Sequence, residues 1–205
     1  RRGGVPVSDI DDLVQDVFLH LHRSAPDFVA GAPLRPWIVT MLLASSDCER
    51  RKMHDGAPVL DMKVAEMARA KSTPVIGLET IDSQLNALAS IPEEQQIQML
   101  KSALVYADRT YDLVETTLQL YLKRNMGAIW PFQFALARKA GFPESAFAGA
   151  QQILIADRNL KMRDGALPHL EKGAAFIAVG GLHLPGKQGL VQLFREQGYT
   201  VTPAE

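Results

Sequence analysis

Residues 173–203 constrain the chain more than any other stretch. Ala174-Ala175-Phe176-Ile177-Ala178-Val179 is continuously apolar and runs straight into Gly180-Gly181. A short apolar run bounded by glycine predicts a strand covered on both faces. The two glycines let the backbone turn sharply or take positive φ. His183 sits just past that turn. Pro185-Gly186 then lead into a helix predicted over residues 187–197, with Leu190, Val191 and Phe194 as its buried face. Gly198 ends it, and Tyr199-Thr200-Val201-Thr202 predicts a last strand. Sites in open α/β sheets gather at the carboxyl ends of strands, which is where this reading puts His183.

The rest of the chain is mostly helical in pattern. Residues 8–23 form an amphipathic helix, with Ser8 as N-cap, Asp9, Asp11 and Asp12 in the first turn, and Ile10, Leu13, Val14, Val17, Phe18 and Leu21 on one face. Residues 24–33 read as a connector and 34–46 as a second helix around Trp37. A short helix is expected over 61–70. Pro74-Val75-Ile76-Gly77-Leu78 predicts another buried strand. Thr80 is placed to cap a helix over 81–89. Ser90 and Glu93 have capping-box spacing for a helix that opens near Pro92 and reaches Ala107. Helical periodicity continues over 108–128 through Leu113, Thr117, Leu120 and Tyr121. It returns over 144–163, with Phe147, Ile153, Leu154 and Leu160 inside and Gly165 and Pro168 as the stop. Helices interleaved with three short strands predict an α/β fold, with α+β as the alternative: a helix-rich layered domain with a small, incomplete sheet. The expected division is an N-terminal helical segment over 1–33 and a domain over 34–205.

Composition excludes some partners. The chain has 205 residues and a net charge of −1, which gives no global attraction to nucleic acid or an anionic membrane. The single cysteine, Cys48, rules out an internal disulfide and a thiolate metal cluster. No run of eighteen apolar residues exists, so no transmembrane helix is expected. The expected compartment is the periplasm if a leader has been removed, and otherwise the cytoplasm.

Three readings of His183 stand side by side. A neutral imidazole is a common transition-metal ligand and titrates near neutral pH, so His183 is a candidate ligand or general acid/base. The stretch from Gly181 to Gln188 nearly matches the phosphate-binding pattern G-x4-G-K-[ST], but Gln188 lacks the hydroxyl that coordinates magnesium. The third reading is a histidine that hydrogen-bonds within a tight turn. One histidine alone makes no metal site.

The stretch from Phe176 to Gly186, with Gly189-Leu190 and the segment from Gly198 to Thr202, resembles the C-terminal signature of the TraB/GumN family. The run from Pro74 through Glu79-Thr80, with Gln84-Leu85, is similar to that family's central "GLET…QL" motif. Arg158-Asn159 resembles its "RN" helix motif, and Pro36-Trp37 its "PW" motif. The resemblance covers about residues 34–203. It implies kinship with the TIKI metalloproteases and, further off, with erythromycin esterase and ChaN-like proteins. The implied site uses two GxxH motifs and an acidic residue, with a divalent transition metal (Mn, Co or Zn). Gly180-Gly181-Leu182-His183 matches the second motif, and no other GxxH occurs in the chain. His183 is thus the expected catalytic and metal residue, and Glu79 the next catalytic candidate. Arg158, Asn159, Gly180 and Gly181 are expected to touch substrate. A Glu79–Arg158 pair that only ties elements together is the alternative, as is Asn159 anchoring a loop.

Residues 8–23 also resemble region 2 of extracytoplasmic-function sigma factors, a helix implied to dock on RNA polymerase. The expected function is therefore a TraB/GumN-like domain related to metal-dependent, peptidase-like hydrolases, incomplete or inactive with one GxxH, acting on a peptide or small molecule. The alternatives are a non-catalytic binding module that dimerises through the 8–23 helix, a nucleotide-binding protein, and a sigma-related adaptor.

Overall fold

The computed structural model describes residues 60–204. The amphipathic helix over 8–23, the connector, the Trp37 helix and Cys48 lie outside the described residues. Within them the chain forms α1 (Leu60–Ala70), α2 (Ile81–Ala89), α3 (Glu93–Val105), α4 (Thr110–Leu122), α5 (Ile129–Lys139), α6 (Ser145–Gln151), α7 (Asp157–Leu170) and α8 (Leu190–Glu196). Single 3-10 turns stand at Ala107–Arg109, Met126–Ala128 and Gly181–His183. A π-helical segment, Gln152–Ala156, joins α6 to α7 without a break. No described helix is long and apolar enough to cross a membrane.

The α/β expectation, and α+β with it, is corrected: no strand occurs among the described residues, and their architecture is all-α. The apolar runs have no ladder partner among the described residues. Val75 and Ile76 are 46% and 55% exposed, and Phe176 is 82% exposed. Over 176–179 only Ile177 and Val179 are half-buried, so one side of the run is covered and not two. The last stretch, 199–202, forms no strand either. A sequence pattern reports local extension, whereas a strand also needs a neighbour 4.7–4.9 Å away to take its N–H and C=O groups.

Local signals succeed at some helix ends and fail at others. Thr80 Oγ1 accepts from the Ser83 N–H at 3.1 Å, which satisfies one of the unpaired donors that open α2. The Ser90–Glu93 capping box does not open α3: the N-cap is Pro92, with no side-chain cap bond, and Ser90 Oγ donates back to the Ala87 carbonyl at 2.8 Å. Helix α7 does not stop at Gly165 but carries Pro168 inside it and runs to Leu170. Helix α5 has no counterpart among the expected elements.

Two apolar clusters organise the packing. Helix α3 lies on α6, and Ile91, Met99, Ala137, Phe147 and Ala150 fill the first cluster. Helix α7 lies on α8, and Met162, Leu190 and Leu193 fill the second, with Leu78, Val179 and Phe194 against them. The second cluster sits beneath the His183 turn and fixes α7 and α8 on either side of it.

Candidate functional site

The site is built on the π-helical segment. An extra residue in one turn rotates everything after it by about 100° relative to a regular helix. The buried positions accordingly step from Phe147 and Ala150 to Ala156, Asn159, Met162 and Ala166. Leu160, expected inside on a regular period, is 41% exposed. The same rotation turns Asn159 fully inward and brings Arg158 toward the segment before α2.

Leu78, Glu79 and Thr80 divide three tasks between them. Leu78 packs on the second cluster, Thr80 caps α2, and Glu79 meets Arg158. Arg158 Nη2 donates to Glu79 Oε2 at 2.7 Å, and Arg158 Nε reaches both carboxylate oxygens at 3.0 and 3.1 Å. Arg158 Nη1 donates to the Leu154 carbonyl at 3.1 Å. The Glu79 side chain is 4% exposed and that of Arg158 20%, so the pair is largely withdrawn from solvent. Such a fork is the strong form of ion pairing, and it links α7 to a residue 79 positions away.

Asn159 holds the His183 turn. Its Nδ2 donates to the carbonyls of His183 at 3.1 Å and Gln188 at 2.7 Å. Two acceptors on one side settle which end of the amide is nitrogen. The opposite end is therefore Oδ1, 2.7 Å from His183 Nδ1. An amide oxygen only accepts, so Nδ1 carries the proton and donates. The imidazole is then the Nδ1–H tautomer, and Nε2 holds the lone pair, with no hydrogen bond to any described residue. His183 is 7% exposed. Burial pushes its pKa below the ordinary value, the Arg158 guanidinium pushes it the same way, and the Glu79 carboxylate opposes both. The result is a neutral, fixed imidazole with one free basic nitrogen.

The structure thus brings Glu79, Arg158, Asn159 and His183 into one linked group. Gly180 lies beside the ring: a Cβ there would stand 3.6 Å from His183 Cδ2. Gly181 lies under Met126, whose Cε would stand 2.8 Å from an added Cβ. Sequence reasoning missed Gln188 as a backbone partner and Gly189 as a close approach, where an added Cβ would overlap the carbonyl oxygens of Leu184 and Pro185. Gly186-Lys187-Gln188-Gly189 carried the only signal for either. His183 Nε2 suits a metal as one ligand. Glu79 is committed to Arg158, and among the described residues no group of three or more His, Cys, Asp or Glu side chains could hold an ion. One imidazole does not make a metal site, which needs three or more ligands.

Three of the motifs read from the sequence, at Glu79-Thr80, Arg158-Asn159 and Gly180–His183, come together in this structure, while Pro36-Trp37 lies outside the described residues. Residues 4–203 match the TraB/PrgY/gumN family, and the chain belongs to it. Over 171 residues the chain is 24% identical to "Uncharacterized protein YbaP" of Escherichia coli (strain K12), covering 83% of this chain and 60% of that protein. It has the same identity and coverage with the protein of that name from Shigella flexneri. The chain thus spans about 60% of the length of the curated relatives it matches. No solved structure matches it.

Proposed function

We propose that this chain carries one histidine arm of a hydrolase-like site for a peptide or small molecule, with His183 Nε2 as the working atom. The observation that supports this is the Asn159–His183 contact at 2.7 Å, which leaves Nε2 unprotonated. A neutral imidazole fixed in this way suits either proton transfer or ligation of Mn, Co or Zn. Such a metal would polarise a substrate carbonyl as a Lewis acid. The further ligands that it needs would come from outside the described residues. Glu79, Arg158 and Asn159 act here as positioning residues, since every polar end of Glu79 and Asn159 that the site uses is turned to protein.

A second reading, a non-catalytic binding module, is favoured by the donor set, since a single imidazole is the only free ligand that the group presents. Metal content separates the two. Purified full chain, incubated with Mn²⁺, Co²⁺ or Zn²⁺ and dialysed, should retain about one equivalent by mass spectrometry of the metal, and His183→Ala should lose it. If the wild type retains none, or His183→Ala retains as much, the metallohydrolase reading fails and the binding module stands. Circular dichroism of His183→Ala checks that the helices persist.

A further inference from the structure

A cavity of about 620 Å³ opens beside the His183 turn, between the end of α4 and α8. That size falls within the range of small-molecule sites, roughly 300–1,000 Å³. Tyr121 and Leu122 line it from α4, Leu184 from the turn and Val191 from α8. Tyr121, Leu122 and Leu184 are 53%, 60% and 41% exposed, which leaves an apolar wall open to solvent. The charged groups of the lining are two guanidiniums, Arg124 and Arg195, and no carboxylate is among them. Neither arginine has an ion-pair partner among the described residues.

Arg195 is anchored through its side chain, and Arg124 through its backbone alone. Arg124 sits at φ 58°, in the left-handed region, with its N–H on the Tyr121 carbonyl at 2.9 Å. Glycine takes that conformation without strain, and an arginine there is held at an energetic cost. Arg195 Nη2 donates to the Val201 carbonyl at 2.8 Å, which anchors one corner of its fork and leaves its other donors without a partner among the described residues. The nearby Glu196 carboxylate accepts from Gln192 at 3.0 Å and neutralises neither arginine.

We propose that this cavity binds a small amphipathic carboxylate. Its apolar chain lies on Tyr121, Leu122, Leu184 and Val191, and its carboxylate is taken by Arg124 and Arg195. A planar guanidinium fork matches a carboxylate in geometry and charge, and the apolar wall gains by being covered. Met126, which also lines the cavity, lies against Gly181, so an occupant would touch the turn that presents His183.

Isothermal titration calorimetry of the full chain with dodecanoate, dodecyl phosphate and dodecanol tests this. Dodecanoate should bind at one per chain and at least tenfold tighter than dodecanol. Arg124→Gln should weaken it about tenfold and reduce the gap to dodecanol, and Val191→Trp, which fills the cavity, should abolish binding. Equal affinity for dodecanoate and dodecanol, unchanged affinity in Arg124→Gln, or no saturable binding of dodecanoate below its aggregation range would overturn the proposal. Tighter binding of dodecyl phosphate than of dodecanoate would overturn the assignment to a carboxylate. None of these variants touches His183, so their outcome is separate from that of the metal measurement.

Discussion

Asn159 and His183 meet twice: Oδ1 accepts from the ring at Nδ1, 2.7 Å away, and Nδ2 donates to the His183 carbonyl at 3.1 Å. A third bond, from Nδ2 to the Gln188 carbonyl at 2.7 Å, carries the same amide to the far end of the turn. Asn159 is fully buried and its two bonds to His183 are withdrawn from water, while the Gln188 carbonyl lies nearer the surface. One side chain thereby sets the shape of the turn and the tautomer of the histidine on it.

Replacing Asn159 with leucine keeps the branched outline of the side chain, adds volume at a fully buried position and removes all three bonds. Buried groups left without partners cost about 1–3 kcal/mol each, partly relieved by local relaxation. Asn159→Leu should lower unfolding stability by about 3 kcal/mol, as measured in urea. Nitrogen NMR of the wild-type ring should show a protonated Nδ1 and a bare Nε2. A ring protonated at Nε2 at neutral pH would contradict the hydrogen-bond assignment.

The sequence made parts of this group legible. Arg158-Asn159, Glu79-Thr80 and Gly180-Gly181 stand out as motifs, and Thr80 is readable as a cap because its signal is local. The π-helical turn at Gln152–Ala156 was not readable, since no residue type marks it, and it misplaced Leu160. The strands were misread for a related reason. Apolar runs such as the one through Phe176 resemble buried strands, but pairing depends on a neighbour that the run itself does not encode. Helix α5 carries Pro131 in its first turn, where proline is tolerated, and it has no polar N-cap to announce its start. Its Ile129 and Ala137 are nonetheless buried.

The Glu79–Arg158 fork is open to a double-mutant cycle. Arg158→Met leaves a carboxylate whose side chain is 4% exposed with no counter-charge. Breaking one side of a buried pair costs about 3–5 kcal/mol, and the 20% exposure of Arg158 argues for the lower end. Glu79→Gln, which keeps hydrogen-bond acceptance, should cost less. With Glu79→Met as the other single variant of the cycle, the double variant Glu79→Met with Arg158→Met should be more stable than Arg158→Met alone. Strict additivity in urea unfolding would mean that the two side chains are not coupled.

Two glycines should respond in opposite directions. Gly189→Ala would drive a Cβ into the Leu184 and Pro185 carbonyl oxygens, which are backbone and cannot swing aside. It should destabilise by about 2 kcal/mol or more and broaden the His183 resonances. Gly165 lies within α7, and a Cβ there would be 3.7 Å from the Leu78 carbonyl, an ordinary contact. Gly165→Ala should therefore stabilise by about 0.5–1 kcal/mol through helix propensity. Thermal melts of the two variants against wild type give both signs.

The depressed pKa of His183 makes stability depend on pH with a definite sign. Above the ordinary histidine value of 6.5, the ring is neutral in both the folded and the unfolded chain, and its contribution is complete. As pH falls below 6.5, the unfolded chain takes up a proton first, because burial and Arg158 disfavour the charged ring in the fold. The unfolded state then binds more protons, so stability declines with falling pH until the folded ring protonates as well. The lost contribution should appear as a steeper decline below pH 6.5 in wild type than in His183→Gln, both measured with a chelator present. Direct titration of the ring by NMR should give a midpoint below 6.5. Glu79 is the group that opposes this shift, so Glu79→Gln should move the midpoint lower still. A midpoint that rises in Glu79→Gln would mean that Arg158, freed from its partner, has swung away from the ring, and that the fork is what holds the guanidinium beside His183.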